Sequence, residues 1–155
     1  MDTASVIYLS KKGMKELKKQ ITILEHEQKE ALADLRELDK TEGHEERLAR
    51  IEKLANIDII ESNLADKRQA LLHAKLLPRK RDALKVAIGS VVELIDAKGR
   101  QFRYTIVDSL EANPSDGRIS IKSPLGQNLI GRQIQDIIEW TAGVRTNQFR
   151  LVGIA

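Results

Sequence analysis

The chain contains no cysteine. Disulfides, thiol catalysis and Cys-ligated zinc are therefore excluded, and a reducing compartment fits. Aromatic residues make up only 3% of the 155 residues. A chain poor in aromatics but rich in Leu, Ile, Ala and charge points to long exposed helices more than to one thick core. Proline is also scarce, and none falls between Met1 and Leu77. No apolar run approaches the ~18 residues that span a membrane, and Met1 to Lys12 has no signal-peptide apolar core. A soluble, cytoplasmic protein is expected. No serine triad, phosphate-cradling glycine loop or zinc motif is present.

Charge is what the chain has in excess. Charged residues reach 32%, yet Lys plus Arg number 26 against 23 for Asp plus Glu, a net charge of only +3. Its distribution therefore carries more information than its total. Apolar residues are equally patterned. Leu17, Ile21, Leu24, Gln28, Ala31, Leu35 and Leu38 alternate steps of four and three, a heptad seam broken once by a polar Gln. Ser10 is a candidate N-cap for this helix. The period fails at Asp39 to His44, where Gly43 weakens a helix and Asp and Thr favour turns. A second series follows at Leu48, Ile51, Leu54, Ile57, Leu64 and Leu71, with Pro78 as the expected stop. Two amphipathic helices joined by a short turn pack antiparallel. At 1.5 Å per residue each runs roughly 40 Å.

The second half changes character. Val91–Ile95, Phe102–Asp108, Ile119–Lys122, Asp136–Trp140 and Gln148–Ile154 read as short strands, punctuated by turn signals at Gly99, Asn113 to Gly117 and Gly143. Pro124 to Arg132 reads as a short helix. The expected class is α+β, with a helical-hairpin domain at 1–77 and a compact antiparallel β-rich domain at 78–155.

Between Asp34 and Glu46 lie six acids, Asp34, Glu37, Asp39, Glu42, Glu45 and Glu46, against Arg36 and Lys40. The other end of the hairpin is basic, with Lys11, Lys12, Lys15, Lys18 and Lys19 at its start and Lys75, Arg79, Lys80, Arg81 and Lys85 past its end. A negative tip on a positive base can orient a rod in a charged channel, although a solvated turn is often simply polar. Glu42 and Glu45 are three apart and share a face on a helical turn. Two carboxylates suit Mg²⁺, which takes one or two of them together with waters and phosphate oxygens. The pair alone is an incomplete site, and its other ligands have to come from a partner. His44 is either a ligand at the tip or an exposed turn residue. His26 and His73 give no metal spacing, and Trp140 reads as core. Arg79-Lys80-Arg81 is equally readable as a solvated linker or as a contact for RNA or for acidic groups of a partner.

The segments Val91-Val92-Glu93-Leu94, Phe102-Arg103-Tyr104-Thr105-Ile106-Val107 and Ile119 to Arg132 resemble the bacterial Gre transcript-cleavage factors. Ser123-Pro124-Leu125-Gly126, followed by Leu129-Ile130-Gly131-Arg132 and Asp136, is the most specific part. Leu9-Ser10-Lys11-Lys12-Gly13 with Leu17 also looks like that family's opening. The resemblance implies an N-terminal coiled coil and an FKBP-like C-terminal domain. It implies docking on the RNA polymerase elongation complex, with Ser123, Pro124, Leu125 and Gly126 at the contact. It further implies entry of the coiled coil into the secondary channel, where tip acids help hold a Mg²⁺ shared with the polymerase near the nascent RNA 3′ end. The polymerase then cleaves its own backtracked RNA. On this reading the chain is a monomeric accessory factor without its own cofactor and is not itself an enzyme.

The tip departs from the family pattern Gly-Asp-Leu-(Ser/Lys)-Glu-Asn-Ala-Glu-Tyr, reading Thr41-Glu42-Gly43-His44-Glu45-Glu46-Arg47-Leu48. Glu42 and Glu45 keep the acid-x-x-acid spacing, while Asp39 and Glu46 are the alternates under a shifted register. The family Asn, second Glu and Tyr fall on Glu46, Leu48 and Ala49. Three functions stay open: stimulation of cleavage, a non-cleaving channel regulator that inhibits polymerase, and a helical-hairpin chaperone or adaptor. An aromatic-lined pocket of the prolyl-isomerase kind is not expected in the β-rich half.

Overall fold

The structure, a computed structural model, describes residues 6–41, 43–78 and 83–155. The chain divides into two compact units, one on Met14–Ala74 and the other on Val6–Gly13 with Lys75–Ala155.

The first unit is the helical hairpin. Helix α1 spans Lys11–Leu38 and helix α2 spans His44–His73. Cross-helix partners advance along α1 as they retreat along α2, which defines the antiparallel arrangement. Gln20 meets Lys67 at 2.9 Å, Gln28 meets Glu61 at 3.2 Å, Asp34 meets Lys53 at 3.2 Å and Asp39 meets Arg50 at 3.1 Å. On α1 the seam runs as expected, with Leu17, Ile21 and Ala31 buried and Leu24, Gln28, Leu35 and Leu38 half-buried.

On α2 the expected seam is corrected. Leu48, Ile51 and Leu54 are 52%, 63% and 43% exposed, while Ile60, absent from the expected series, is buried with Ile57 and Leu64. The inward face near the turn belongs to Ala49 and Lys53, both half-buried. Spacing alone favoured three-residue steps through the largest aliphatic side chains. The cross-helix pairing instead turns Lys53 toward Asp34 and rotates those side chains out. Nor does Pro78 end α2. The helix closes at His73, where the Ala74 N–H bonds the Leu71 carbonyl and the chain enters a strand.

The second unit begins with β1 (Ile7–Leu9), which pairs with β2 (Ala74–Leu76). Both strands are too short for a sequence pattern to reveal. Ser10 caps α1 by accepting the Gly13 N–H at 3.0 Å, and its own N–H donates to the Glu111 carboxylate at 2.9 Å. A five-stranded sheet follows, built from β3 (Val91–Asp96), β4 (Gln101–Val107), β5 (Arg118–Ser120), β6 (Ile137–Ala142) and β7 (Arg145–Ile154) in the order β5-β4-β3-β7-β6. The sheet is not wholly antiparallel as expected, because β5 runs parallel to β4. The long connection through 3₁₀ turns at Ser109–Glu111 and Pro114–Asp116 carries the chain back to the start of the same edge, so β5 re-enters in the same direction. Helix α3, Pro124–Leu129, packs over one face of this sheet, giving the FKBP-like α+β arrangement. Val92, Leu94, Ile106, Leu129, Ile138 and Leu151 are fully buried in its core, each contributing roughly 1.5–3 kcal/mol. No described helix is long and apolar enough to cross a membrane.

The β3–β4 turn is organised by Asp96, whose carboxylate accepts the Lys98 and Arg100 N–H groups at 3.0 and 2.8 Å and pairs with the Arg100 guanidinium at 2.8 Å. Partial burial opposes its charge, but these donors outweigh that cost and hold its pKa below the ordinary carboxylate value of 3.8. A lowered folded pKa stabilises the fold above the unfolded value, and the stabilisation is lost as pH falls through the folded one. Asp96→Asn therefore lowers the melting temperature at neutral pH. In melts taken at successive pH values the deficit shrinks below pH 3.8. A deficit unchanged down to about pH 2 contradicts this role.

Candidate functional site at the closed end of the hairpin

The chain reverses between Leu38 and His44. Asp39 and Lys40 N–H groups still bond helix carbonyls at Leu35 and Glu37, and the Thr41 hydroxyl donates to the Leu38 carbonyl at 3.1 Å. Gly43 is extended and precedes α2 without a side-chain cap. The Glu46 carboxylate folds back over Gly43, so closely that a Cβ there would run into it. Glu45 and Glu46 occupy the first turn of α2, where the helix dipole favours negative charge by about 0.3–1 kcal/mol.

Of the residues singled out in the sequence, Glu42 lies outside the described residues. The remaining acids differ in what holds them. Asp34 pairs with Lys53, Glu37 with Lys40 at 2.8 Å, and Asp39 with Arg50. Glu45 is exposed and makes no ion pair among the described residues. The closed end is also less negative than the run of acids suggests. Arg47 and Arg50 from α2 stand beside it, lining a polar concavity with Asp39, Thr41, Gly43 and Glu46. These arginines lie beyond the acidic run in sequence, and only the antiparallel register brings Arg50 to Asp39. Among the described residues, no three His, Asp or Glu side chains converge as a metal site.

The segment Ser123-Pro124-Leu125-Gly126 has a clear local cause. Ser123 caps α3, accepting the Gly126 N–H at 3.0 Å and donating to the Ser120 carbonyl at 2.7 Å. Pro124 occupies the first helical turn, where a missing N–H costs nothing. Leu125 and Gly126 are buried, and a Cβ at Gly126 would run into the Ser120 carbonyl oxygen. Pro124 is the one exposed member of the four. Arg79, Lys80 and Arg81 lie outside the described residues.

A two-helix hairpin with acids at its turn, joined in sequence to an FKBP-like unit whose helix opens on Ser-Pro-Leu-Gly, defines a class of two-unit hairpin factors. Residues 81–155 match the family described as transcription elongation factor, GreA/GreB, C-term. Over 141 residues the chain is 33% identical to transcription elongation factor GreA of Chlorobium phaeobacteroides, covering 86% of each. It is 32% identical over 133 residues to GreA of Mycoplasma pneumoniae, covering 83% of each. Among solved structures, Gfh1 of Thermus aquaticus is 27% identical with a TM-score of 0.45, covering 97% of this chain and 99% of that one. The chain belongs to the GreA/GreB family of transcription elongation factors.

The close approach at Gly126 predicts that Gly126→Ala costs roughly 1–3 kcal/mol through backbone displacement. Pro124→Ala, at an exposed position, changes stability by about 0.5 kcal/mol or less. Thermal melts of the two variants check this, and equal melting temperatures contradict it.

Proposed function

We propose that this chain binds the RNA polymerase elongation complex, inserts its hairpin into the secondary channel, and stimulates Mg²⁺-dependent cleavage of backtracked RNA. The observation that carries the reading is Glu45. It is the acid of the closed end left exposed and without an ion pair among the described residues, while Asp34, Glu37 and Asp39 are each held by a cation. A carboxylate committed to an arginine has to break that pair before it can hold a metal. An uncommitted one has only its hydration to lose.

In this mechanism the polymerase supplies the metal centre and the RNA. Glu45, with Glu42 preceding it by three residues, would help hold the Mg²⁺ through carboxylate oxygens, and the ion would supply Lewis-acid activation of water there. Pro124, at the exposed start of α3, is the docking residue of the second unit. Arg79, Lys80 and Arg81 supply positive charge toward RNA or acidic polymerase groups. The chain itself breaks no bond.

Purified chain mixed with backtracked elongation complexes and Mg²⁺ tests the proposal. Cleavage above that of polymerase alone is expected. Glu45→Gln is expected to reduce the cleavage rate by about ten- to a hundred-fold, the range for losing a group that supports a metal site. Asp39→Asn, at an acid already engaged by Arg50, is expected to have a smaller effect. If the parent chain slows nucleotide addition without any added cleavage, it is instead a non-cleaving channel regulator.

A further inference from the structure

Four of the chain's five aromatic residues, Phe102, Tyr104, Trp140 and Phe149, line a single cleft of about 580 Å³ in the second unit. The expectation set aside only a pocket of the prolyl-isomerase kind; this cleft is aromatic-lined with a polar, cationic rim. The sequence hides it because the four residues come from three strands. Register assembles them. Phe102 lies across from Leu94, Tyr104 from Val92 and Phe149 from Ile138. Directly paired residues share a sheet face, so the aromatics continue the same face that carries the core. That face is filled by Leu125 and Leu129 of α3 at one end and stays open at the other, where the aromatic rings stand.

The rings pack on one another at one end of the cleft. Phe102 and Tyr104, two apart on β4, are stacked with planes 4° apart and centroids 6.2 Å apart. Phe149 meets Phe102 edge-on at 5.7 Å and fixes it. Phe102, Tyr104 and Trp140 are only partly buried, so ring surface remains available. The rim is cationic and comes from two separate turns, with Lys98 and Arg100 on the β3–β4 side and Arg145 at the start of β7. Arg100 stands 6.0 Å from the Phe102 ring centre. The one carboxylate in the cleft, Asp96, is already occupied by Arg100 and the turn N–H groups. Lys98 and Arg145 have no ion pair among the described residues. Asn147, across from Trp140, adds a carboxamide able to both donate and accept.

We infer that this cleft binds a short segment of single-stranded nucleic acid, its bases against the Phe102, Tyr104 and Trp140 rings and its phosphates against Lys98 and Arg145. Flat rings two residues apart on a sheet, flanked by cations, suit unstacked bases joined by phosphates. A purely apolar peptide leaves the rim cations unused. Cations on two turns suit a strand with several phosphates better than a single nucleotide. The site is independent of the hairpin's acids, so it stands or falls without polymerase.

Trp140 is the chain's only tryptophan and reports directly on the cleft. Titrating the full chain with a single-stranded RNA octamer in low salt is expected to quench Trp140 emission saturably. Anisotropy of the labelled octamer is expected to give the same midpoint. The Lys98→Glu, Arg145→Glu double variant is expected to weaken binding at least about ten-fold, as loss of two phosphate contacts and their counterion release requires, with an unchanged melting temperature. Binding that leaves Trp140 emission unaltered, or that survives in the double variant, overturns the assignment. So does equal affinity for a duplex of the same length, which reads charge alone. Quenching by a proline-rich peptide and not by RNA overturns it in favour of a peptide groove.

Discussion

The packing of one helical seam on another is the constraint on which the closed end depends. A two-helix hairpin has no second layer. Its apolar burial rests on Leu17, Ile21 and Ala31 of α1 and Ile57, Ile60 and Leu64 of α2. Apolar contact sets the energy, since each fully buried aliphatic side chain is worth roughly 1.5–3 kcal/mol, while exposed ion pairs are worth about 0–1 kcal/mol. The polar rungs have a different role. Gln20–Lys67, Gln28–Glu61, Asp34–Lys53 and Asp39–Arg50 read like a ladder, and a slip of one position would unpair them together. Register then decides chemistry. The same pairing that takes Asp34 and Asp39 out of play leaves Glu45 without an ion pair among the described residues.

The second unit uses one sheet face twice. At one end α3 seals it, and the Ser123 cap, Pro124 and the close approach at Gly126 are the local devices that start α3 there. At the other end Phe102, Tyr104 and Trp140 stay partly exposed among the described residues, and the face becomes a cleft. The motif that looks most like a recognition sequence is therefore mainly a folding device with one exposed proline. The residues that create a pocket carry no motif at all.

That contrast explains what the sequence makes legible. The heptad of α1, the strand alternation in Val91–Asp96 and Gln101–Val107, and the turn residues at Gly99 and Gly117 follow from local periodicity and backbone chemistry, and they are visible in the chain. The features that escaped depend on partners distant in sequence. Lys53 occupies a seam position because Asp34 lies opposite. Strand β5 runs parallel to β4 because a ten-residue connection returns it. Arg50 neutralises Asp39 across the turn, and four aromatics from three strands converge through register alone. Family resemblance supplied the pairing of hairpin with FKBP-like unit, which no single periodicity contains.

The central claim, that the closed end of the hairpin delivers carboxylates to a metal ion held by polymerase, is tested most directly by distance. The absence of native cysteine allows one nitroxide to be placed at Arg47→Cys, beside Glu45, and in a separate protein at Lys67→Cys on the same helix. With Mn²⁺ replacing Mg²⁺ in backtracked elongation complexes, the account predicts strong paramagnetic relaxation of the label at position 47 and little at position 67. Equal relaxation at both positions, or none at 47 in complexes shown to contain the bound chain, would contradict it.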